Sequence, residues 1–286
     1  MLKTGTFKQR FATALVFLVL SIPLTVIARA QESTNITDRD AAGQTPDDAS
    51  GPPPASSTGT AGSREATWRK LPGNFLKDQK DIWLFPVKLG EGHHWLPTAF
   101  VVGGTAALIA TDPQTMPHFR QTTAFHGFNR VFTSTVSGGI IAAVPATFYV
   151  ASLIRKNSYD QGSALLAGEA VVDDTVLMVV IKSITQRLRP TDVAAKGNFS
   201  DTFFQSSKSP FGKGTSFPSG HALMSFSVAT VFARRYRQHR WVPYVAYGLA
   251  GVLSFSRVTT GAHFPSDVFI GAALGYAIAR YDVVRQ

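Results

Sequence analysis

Beyond His94 the chain is a succession of apolar stretches separated by short polar ones. None of them alternates apolar and polar residues at every second position, as a half-buried β-strand would, so the pattern predicts an all-α domain over residues 95–286. Such helices pack as an up-and-down bundle in which successive helix ends alternate between two faces. We predict six helices, at residues 95–111, 131–154, 162–188, 217–237, 241–256 and 265–281.

Two segments of different composition open the chain. Residues 1–30 have a basic start, an uncharged apolar run from Phe11 to Ile27 and an Ala-Arg-Ala end, which predicts a secretory signal cleaved after Ala30. An uncleaved membrane anchor is the alternative, although the run is at the lower limit of length for a spanning helix. Residues 31–63 are rich in Gly, Ser, Thr, Pro and Ala and are predicted to be a disordered linker.

Residues 64–94 mix basic residues with tryptophan and phenylalanine. We interpret them as an N-terminal arm that packs on the domain; an amphipathic segment lying on a membrane surface is the alternative. The adjacent His93 and His94 lack a third ligand at a suitable spacing, so they predict a loop before a helix and not a metal site.

The formal net charge of the chain is +10, yet the basic residues are spread over predicted loops and helix ends. They do not form the aromatic-interleaved basic stripe that is typical of a nucleic-acid-binding surface. The charge therefore indicates an anionic lipid or a phosphorylated substrate. Because the chain has no cysteine, disulfides, thiolate metal ligands and a cysteine nucleophile are excluded.

One stretch near the C-terminus, residues 256–267, combines a cation, an imidazole and a carboxylate. Pro265 predicts a helix start, which places Asp267 in the first turn, four residues after His263. A carboxylate there can accept the Nδ1 proton of the ring and leave Nε2 free as a nucleophile or base. Arg257 supplies a planar cation suited to phosphate. A loop with a surface histidine and a helix-capping aspartate is the alternative.

Two further clusters carry related chemistry. Lys182 and Arg189 are seven residues apart, or two helical turns, so they project from one face and can converge on one ligand. Ser219 and Gly220 begin a helix whose first N–H groups can cradle an anion, with His221 beside it as a proton donor. A basic helix end and an ordinary helix cap are the alternatives. In an up-and-down bundle all three clusters lie at one end.

These residues form a known tripartite signature without departure. Lys-x6-Arg-Pro is residues 182–190, Pro-Ser-Gly-His is residues 218–221, and Ser-Arg-x5-His-x3-Asp is residues 256–267. The chain resembles the type 2 phosphatidic acid phosphatase family, which shares its site with vanadium haloperoxidases and bacterial class A acid phosphatases. The resemblance implies a six-helix bundle that hydrolyses a phosphomonoester or diphosphate, with the apolar helices favouring a lipid-linked substrate.

The resemblance also implies residue roles. His263 is expected to attack phosphorus and form a phosphohistidine, with Asp267 holding its ring and His221 protonating the leaving group. No metal or other cofactor is expected, and vanadate only as a mimic of the transition state. The alternatives are an exported soluble acid phosphatase, a vanadium-dependent haloperoxidase and a non-enzymatic anion-binding or lipid-binding module. The expected phosphate-binding residues are Lys182, Arg189, Ser219, Gly220 and Arg257.

Features that favour membrane insertion and features that oppose it occur in different parts of the chain. The stretch 131–154 has no internal charge and is long enough to cross a bilayer, whereas 95–111 is short for a span, as are the last two predicted helices. The third stretch carries acidic residues. Of these, Asp174 lies on a similar helical face to Lys182, and we interpret it and Asp173 as structural; pairing with a base or a polar substrate group is the alternative.

Arginine and lysine cluster at the predicted face opposite the site, which indicates an inner-membrane protein with its site towards the periplasm. Export of residue 31 followed by six spans would instead place the site in the cytoplasm. We therefore expect that one helix, 95–111, does not cross, or that the domain is soluble or peripheral after export. Basic residues of this face are Arg155, Lys156, Arg234, Arg235, Arg237, Arg240, Arg280 and Arg285.

Overall fold

The computed structural model describes Arg64 and residues 66–194, 197–210 and 214–284. The segments 1–30 and 31–63, predicted as signal and linker, lie outside the described residues, as does Arg285. Within the described ranges the secondary structure is helical, with no strand. The helices are α1 Leu71–Trp83, α2 Phe85–Gly90, α3 Trp95–Gln121, α4 His126–Val131, α5 Ser134–Arg155, α6 Ser158–Thr185, α7 Gly220–Arg235, α8 Trp241–Thr259 and α9 Pro265–Ala277, followed by a π-helical turn at Ile278–Val283.

All six predicted helices are present, and the all-α prediction is confirmed. The predicted end of the first helix at residue 111 is wrong, because α3 continues to Gln121 through Pro113 and Pro117. A proline inside a helix removes one backbone hydrogen bond and usually ends the helix. Here Asp112 and Met116 are fully buried, so tertiary contacts of this segment outweigh the local cost of the prolines.

The helix α7 is the centre of the bundle and packs against α5, α6, α8 and α9. Two glycines let the backbone of α9 lie directly on α7. A Cβ at Gly271 would be 2.6 Å from the carbonyl oxygen of Ser219, and a Cβ at Gly275 would overlap that of Leu223. The Ser227 hydroxyl also donates to the Gly275 carbonyl at 2.8 Å. The start of α7 is therefore held at a fixed distance from the start of α9.

The N-terminal arm packs on the bundle through buried polar contacts. Arg64 forms ion pairs with Asp78 of α1 at 2.7 Å and with Glu169 of α6 at 3.0 Å. The Gln79 amide donates to Asp173 at 2.8 Å. Asp173 thus receives a hydrogen bond from the arm, and Asp174 is buried completely within α6. In the described residues no group of three side chains suited to a metal ion is found, at His93 and His94 or elsewhere.

Two helices, α3 and α5, are long and apolar enough to cross a membrane. Only 11% of the most apolar stretch of α3 is buried inside the protein, and Trp95, Leu96 and Phe100 are exposed. In a soluble protein, other residues would cover such an apolar helix surface. The exposed apolar surface of α3 is therefore suited to contact with lipid. These helices support a membrane localisation.

The length of α3 removes one reason to expect that it does not cross. It has 27 residues, which at ~1.5 Å per residue corresponds to ~40 Å, more than the ~30 Å hydrocarbon thickness of a bilayer. The expectation that 95–111 is too short to span was wrong because it ended the helix at the prolines.

Replacement of Gly275 by alanine is expected to lower stability by about 1–3 kcal/mol, because the new methyl group must displace α9 from the Leu223 carbonyl. Thermal unfolding in detergent measures the effect. Gly248→Ala in α8 is the matched control, since a Cβ there meets nothing within 4 Å and alanine is the better helix former. Equal melting temperatures for the two variants would contradict the close helix contact.

Candidate active site

The three clusters found in the sequence meet at one end of the bundle. The Lys182 ammonium donates to the carbonyl of Thr215 at 2.5 Å, and the next carbonyl, that of Ser216, lies 2.8 Å from Nδ1 of His263. The backbone N–H of Ser219 donates to the carbonyl of Asp267 at 2.9 Å. The end of α6, the start of α7 and the start of α9 are therefore joined by direct hydrogen bonds.

The protonation state of His263 follows from its neighbours. A carbonyl oxygen only accepts hydrogen bonds, so Nδ1, which faces the Ser216 carbonyl, carries the ring proton and Nε2 has the lone pair. Burial and the nearby cations Lys182 and Arg189 outweigh the Asp267 carboxylate and lower the pKa of His263 to about 3. The ring is therefore neutral at pH 7, with a nucleophilic Nε2.

Asp267 is placed differently from the prediction. Its Oδ2 is 3.6 Å from Nδ1 of His263, beyond a normal hydrogen bond, and accepts the N–H of Phe264 at 2.8 Å. Burial alone would raise the pKa of Asp267, but the Arg187 guanidinium, His263 and the Phe264 N–H lower it to about 2. The Ser216 carbonyl orients the imidazole, and Asp267 stands behind the ring as a fixed negative charge.

Two of the site cations are buried, and neither has an acidic partner within the described ranges. Arg257 is fully buried and donates to the Ser134, Ser137 and Ser256 hydroxyls and to the carbonyl of Phe132. Among the described residues, no carboxylate lies within 4 Å of Arg257 or of the equally buried Lys182. Buried charges in proteins are normally paired, so this arrangement fits an anionic ligand.

The same cations lower one another's pKa values. Burial and Arg189 lower the pKa of Lys182 to about 7 and that of Arg257 to about 10. Burial also lowers the pKa of Arg189, whose guanidinium lies 3.5 Å from the carbonyl of Ala262, next to His263. An anion bound among the three would reverse these shifts, because opposite charge favours the protonated forms.

The start of α7 has the features expected of an anion site. Ser219 is the N-cap and its hydroxyl accepts the N–H of Ala222. A Cβ at Gly220 would overlap the sulfur of Met178, so a side chain there would require Met178 to move. The helix has 16 residues, so its first N–H groups and dipole favour a negative charge at this point.

His221 projects from this helix start towards α5. Its Nε2 lies 3.1 Å from the carbonyl of Ser134, so Nε2 carries a proton and Nδ1 is the second titrating position. Burial, with further contributions from Arg257, Arg189 and Lys182, lowers the pKa of His221. The ring therefore shares its surroundings with all three cations.

Sequence reasoning missed two residues next to the site, Arg187 and Asp112. Arg187 is almost completely buried and donates to Asp267 at 2.6 Å and to Asp112 of α3 at 2.7 Å. The sequence carried a signal for Asp112. Asp112 is the one carboxylate in the apolar stretch 95–117, where an ionisable residue predicts a functional contact. Arg187 lies within the Lys-x6-Arg segment but outside its signature positions.

Parts of the chain are similar to known proteins. Residues 162–284 match the sequence model of the PAP2 superfamily. The lipid A 1-phosphatase of Rhizobium etli is 36% identical over 105 residues, which cover 37% of this chain and 42% of that protein. The decaprenylphosphoryl-5-phosphoribose phosphatase of Mycobacterium tuberculosis is 32% identical over 114 residues, covering 40% and 56%. The matched segments thus span less than two-thirds of these relatives.

One solved structure is also similar. It is the crystal structure of a transmembrane PAP2-type phosphatidylglycerolphosphate phosphatase from Bacillus subtilis, at 20% sequence identity and a TM-score of 0.40. The similarity covers 71% of this chain and 92% of that one.

The site is expected to bind sulfate, whose charge is constant between pH 6 and 9, and to bind it more weakly as the pH rises through about 7. The sign follows from Lys182, whose pKa is about 7 in the free site: the ammonium form that binds an anion is lost above that pH. Isothermal titration calorimetry in detergent measures the affinity.

Lys182→Met is expected to weaken sulfate binding by roughly 10- to 100-fold, the equivalent of one charge-assisted hydrogen bond, and to flatten its pH dependence. Lys208→Met is the control, because Lys208 is an exposed residue paired with Asp192. Equal affinities in the two variants would show that Lys182 does not contact the anion.

Proposed function

We propose that this chain, which belongs through residues 162–284 to the PAP2 superfamily, is a metal-independent phosphatase that hydrolyses a lipid-linked phosphate ester. The observation that carries the proposal is a pair of buried cations, Lys182 and Arg257, that have no carboxylate partner in the described part of the chain and lie beside a neutral imidazole. The relatives named above are phosphatases of lipid-linked substrates by name. The lipid-facing α3 supports a substrate that lies in the membrane.

The first chemical step is attack of Nε2 of His263 on phosphorus, in line with the leaving oxygen. The P–N bond forms as the P–O bond to the alcohol breaks, giving a phosphohistidine. The ring then carries a positive charge. Its Nδ1 keeps its proton and donates it in a hydrogen bond to the Ser216 carbonyl, and the Asp267 carboxylate behind the ring stabilises the positive charge.

His221 moves the protons in both half-reactions. In the first it gives a proton to the departing alcohol oxygen. In the second the neutral ring takes a proton from water, which attacks phosphorus, breaks the P–N bond and releases phosphate. The three cations lower the pKa of His221 in the free site, and the negative charge of bound substrate offsets them, so the ring becomes protonated when a substrate is present.

The non-bridging oxygens are held by Lys182, Arg189 and Arg257 and by the start of α7 at Ser219 and Gly220. Phosphoryl transfer depends mainly on positioning and on charge stabilisation around these oxygens. Because three cations and a helix N-terminus already supply positive charge, the mechanism uses no metal ion and no other cofactor.

We propose further that the site faces the periplasm from the inner membrane. The ends of α5 and α7 and the turn after α9 carry basic residues such as Arg155, Arg237 and Arg280 on the face opposite the site. Cytoplasmic segments of membrane proteins are enriched in lysine and arginine. The arm precedes α3 on the basic face, and α3 runs from there to Asp112 at the site.

His263→Ala is expected to abolish phosphate release, because no other group in the site holds a free imidazole nitrogen at this position. The assay uses detergent-purified protein with chelator present and offers phosphorylated lipids and a soluble aryl phosphate. Wild-type protein quenched during turnover should carry acid-labile, base-stable phosphate, which His263→Ala lacks.

His239→Ala is the control for that experiment, since His239 lies between α7 and α8 on the opposite face. Release from the soluble ester alone would contradict a lipid-linked substrate. Release that requires a divalent metal, or acid-stable phosphoenzyme, would contradict the mechanism.

The orientation is testable because the chain has no cysteine of its own. Ser207→Cys on the site face and Gln238→Cys between α7 and α8 are both exposed positions. A membrane-impermeant maleimide added to intact cells is expected to label Ser207→Cys, and to label Gln238→Cys only after the membrane is permeabilised. The reverse pattern would place the site in the cytoplasm.

A further inference from the structure

Arg187 is a buried cation beside the site that the steps above do not use. It is 1% exposed and lies in the loop that follows α6. Its guanidinium donates to the Asp267 carboxylate at 2.6 Å, to Asp112 at 2.7 Å, to the Ser266 hydroxyl at 2.7 Å and to the Thr202 hydroxyl at 3.1 Å. Every nitrogen of the group therefore has a defined acceptor.

Two aromatic rings fix the plane of this guanidinium. Its central carbon is 3.9 Å from the ring centroid of Phe264 and 4.4 Å from that of Phe203. Both contacts favour a cation and exclude water from its faces. A planar fork held in this way has one orientation, and lysine cannot reproduce it.

Asp112 brings the long helix α3 into the same network. Its Oδ2 accepts hydrogen bonds from Arg187 and, at 2.5 Å, from the Ser266 hydroxyl, and its Oδ1 accepts the Ser266 N–H at 3.3 Å. Ser266 is the residue before Asp267 in the first turn of α9. Asp112 thus fixes both the arginine and the turn that carries the carboxylate.

The charges of the network leave one negative charge next to His263. Arg187 lies between two carboxylates, so one positive charge is shared by two negative ones. Without Arg187 two buried carboxylates would face each other, and one of them would be protonated at neutral pH. Arg187 donates a hydrogen bond to Oδ1 of Asp267, and Oδ2 of the same carboxylate faces the His263 ring.

We propose that Arg187 and Asp112 are positioning residues of the reaction: they hold Asp267 as an anion with Oδ2 turned towards His263 while the phosphoryl group is on Nε2. The proposal rests on the proposed function and adds to it. Neither residue touches the substrate, so their replacement changes turnover more than substrate binding.

The network also predicts a pH effect. Arg187 is a main cause of the low pKa of Asp267, so its loss raises that pKa, and the ionised form needed for turnover appears only at higher pH. The acid limb of the kcat profile then moves to higher pH. The charged or titrating groups that face Asp267 are Arg187, Asp112, His263, Lys182 and Arg189.

The variants are chosen to separate this role from folding. Arg187→Gln is expected to lower kcat by roughly 100-fold, the effect of a displaced catalytic group. Its KM is expected to stay within about threefold of wild type, and the acid limb of its kcat profile is expected to move to higher pH. Arg187→Lys is expected to have a higher kcat than Arg187→Gln and an acid limb closer to that of wild type, since lysine keeps the positive charge but lacks the planar guanidinium. Asp112→Asn, of equal size, is expected to lower kcat by about tenfold.

Arg235→Lys is the matched control. Arg235 is also buried and stacked, 3.9 Å from the ring centroid of Tyr159, and it bonds the Ser163 hydroxyl at 2.9 Å, but it lies at the opposite end of α7. Its replacement is expected to lower the melting temperature and to leave kcat and the pH profile unchanged. If Arg187→Gln does not fold, Asp112→Asn and Arg187→Lys carry the test.

A double-mutant cycle with Asp267→Asn decides whether Arg187 acts through Asp267. The loss caused by Arg187→Lys in the wild type is expected to disappear in the Asp267→Asn background, because the carboxylate that it holds is gone. Equal losses in both backgrounds would overturn the proposal. So would wild-type kcat and pH profile in Arg187→Lys and Asp112→Asn. A wild-type protein that releases phosphate from no ester would instead overturn the proposed function.

Discussion

Positive charge that is buried without an acidic partner among the residues the structure describes is the constraint on which the site end of this bundle depends. Lys182 and Arg257 donate to carbonyl and hydroxyl oxygens, and burial and the nearby Arg189 lower the pKa values of both. Such groups are unfavourable in the empty site and favourable once an anion joins them. The energetic cost of forming the cluster in the fold is thus offset when the ligand binds.

The carboxylates are paired with a third arginine, Arg187, and not with these cations. Arg187 binds both Asp112 and Asp267, so neither acid is drawn to Lys182 or Arg257. Site charges are therefore sorted into a cationic pocket and a neighbouring network with net negative charge, with His263 between them. Its Nδ1 side faces the Ser216 carbonyl and Asp267, and its Nε2 is free for the anion.

The two close helix contacts explain how such an arrangement stays rigid. Gly271 and Gly275 set the backbone of α9 on α7, and Gly220 lets α7 approach Met178 of α6. The starts of α7 and α9 are therefore joined through backbone contacts, whereas α6 packs on the start of α7 through the Met178 side chain. The outer surface serves another purpose: α3 exposes its apolar side chains and so is suited to lipid.

Local pattern was sufficient for the six helices and for the three clusters, because helix periodicity, proline and glycine positions and the spacing of Lys182, His221 and His263 are properties of short segments. Local pattern was insufficient where a residue's conformation or hydrogen-bond partner depends on segments that are distant in the sequence. The end of α3 depends on Asp112 and Met116 being buried, which outweighs the prolines. The partner of His263 Nδ1 is a backbone carbonyl 47 residues away, and no side-chain motif marks a backbone carbonyl.

The sequence by itself determined that the chain is helical, predicted chemistry directed at a phosphoryl group, and placed Asp267 four residues after His263, in the first turn of α9. The tertiary structure decided which oxygen orients the imidazole, which cation neutralises which carboxylate, and that α3 takes part in the site at all. The physical reason is range: helix formation and turn geometry are set within a few residues, whereas the pairing of buried charges is settled only when helices far apart in sequence exclude water together.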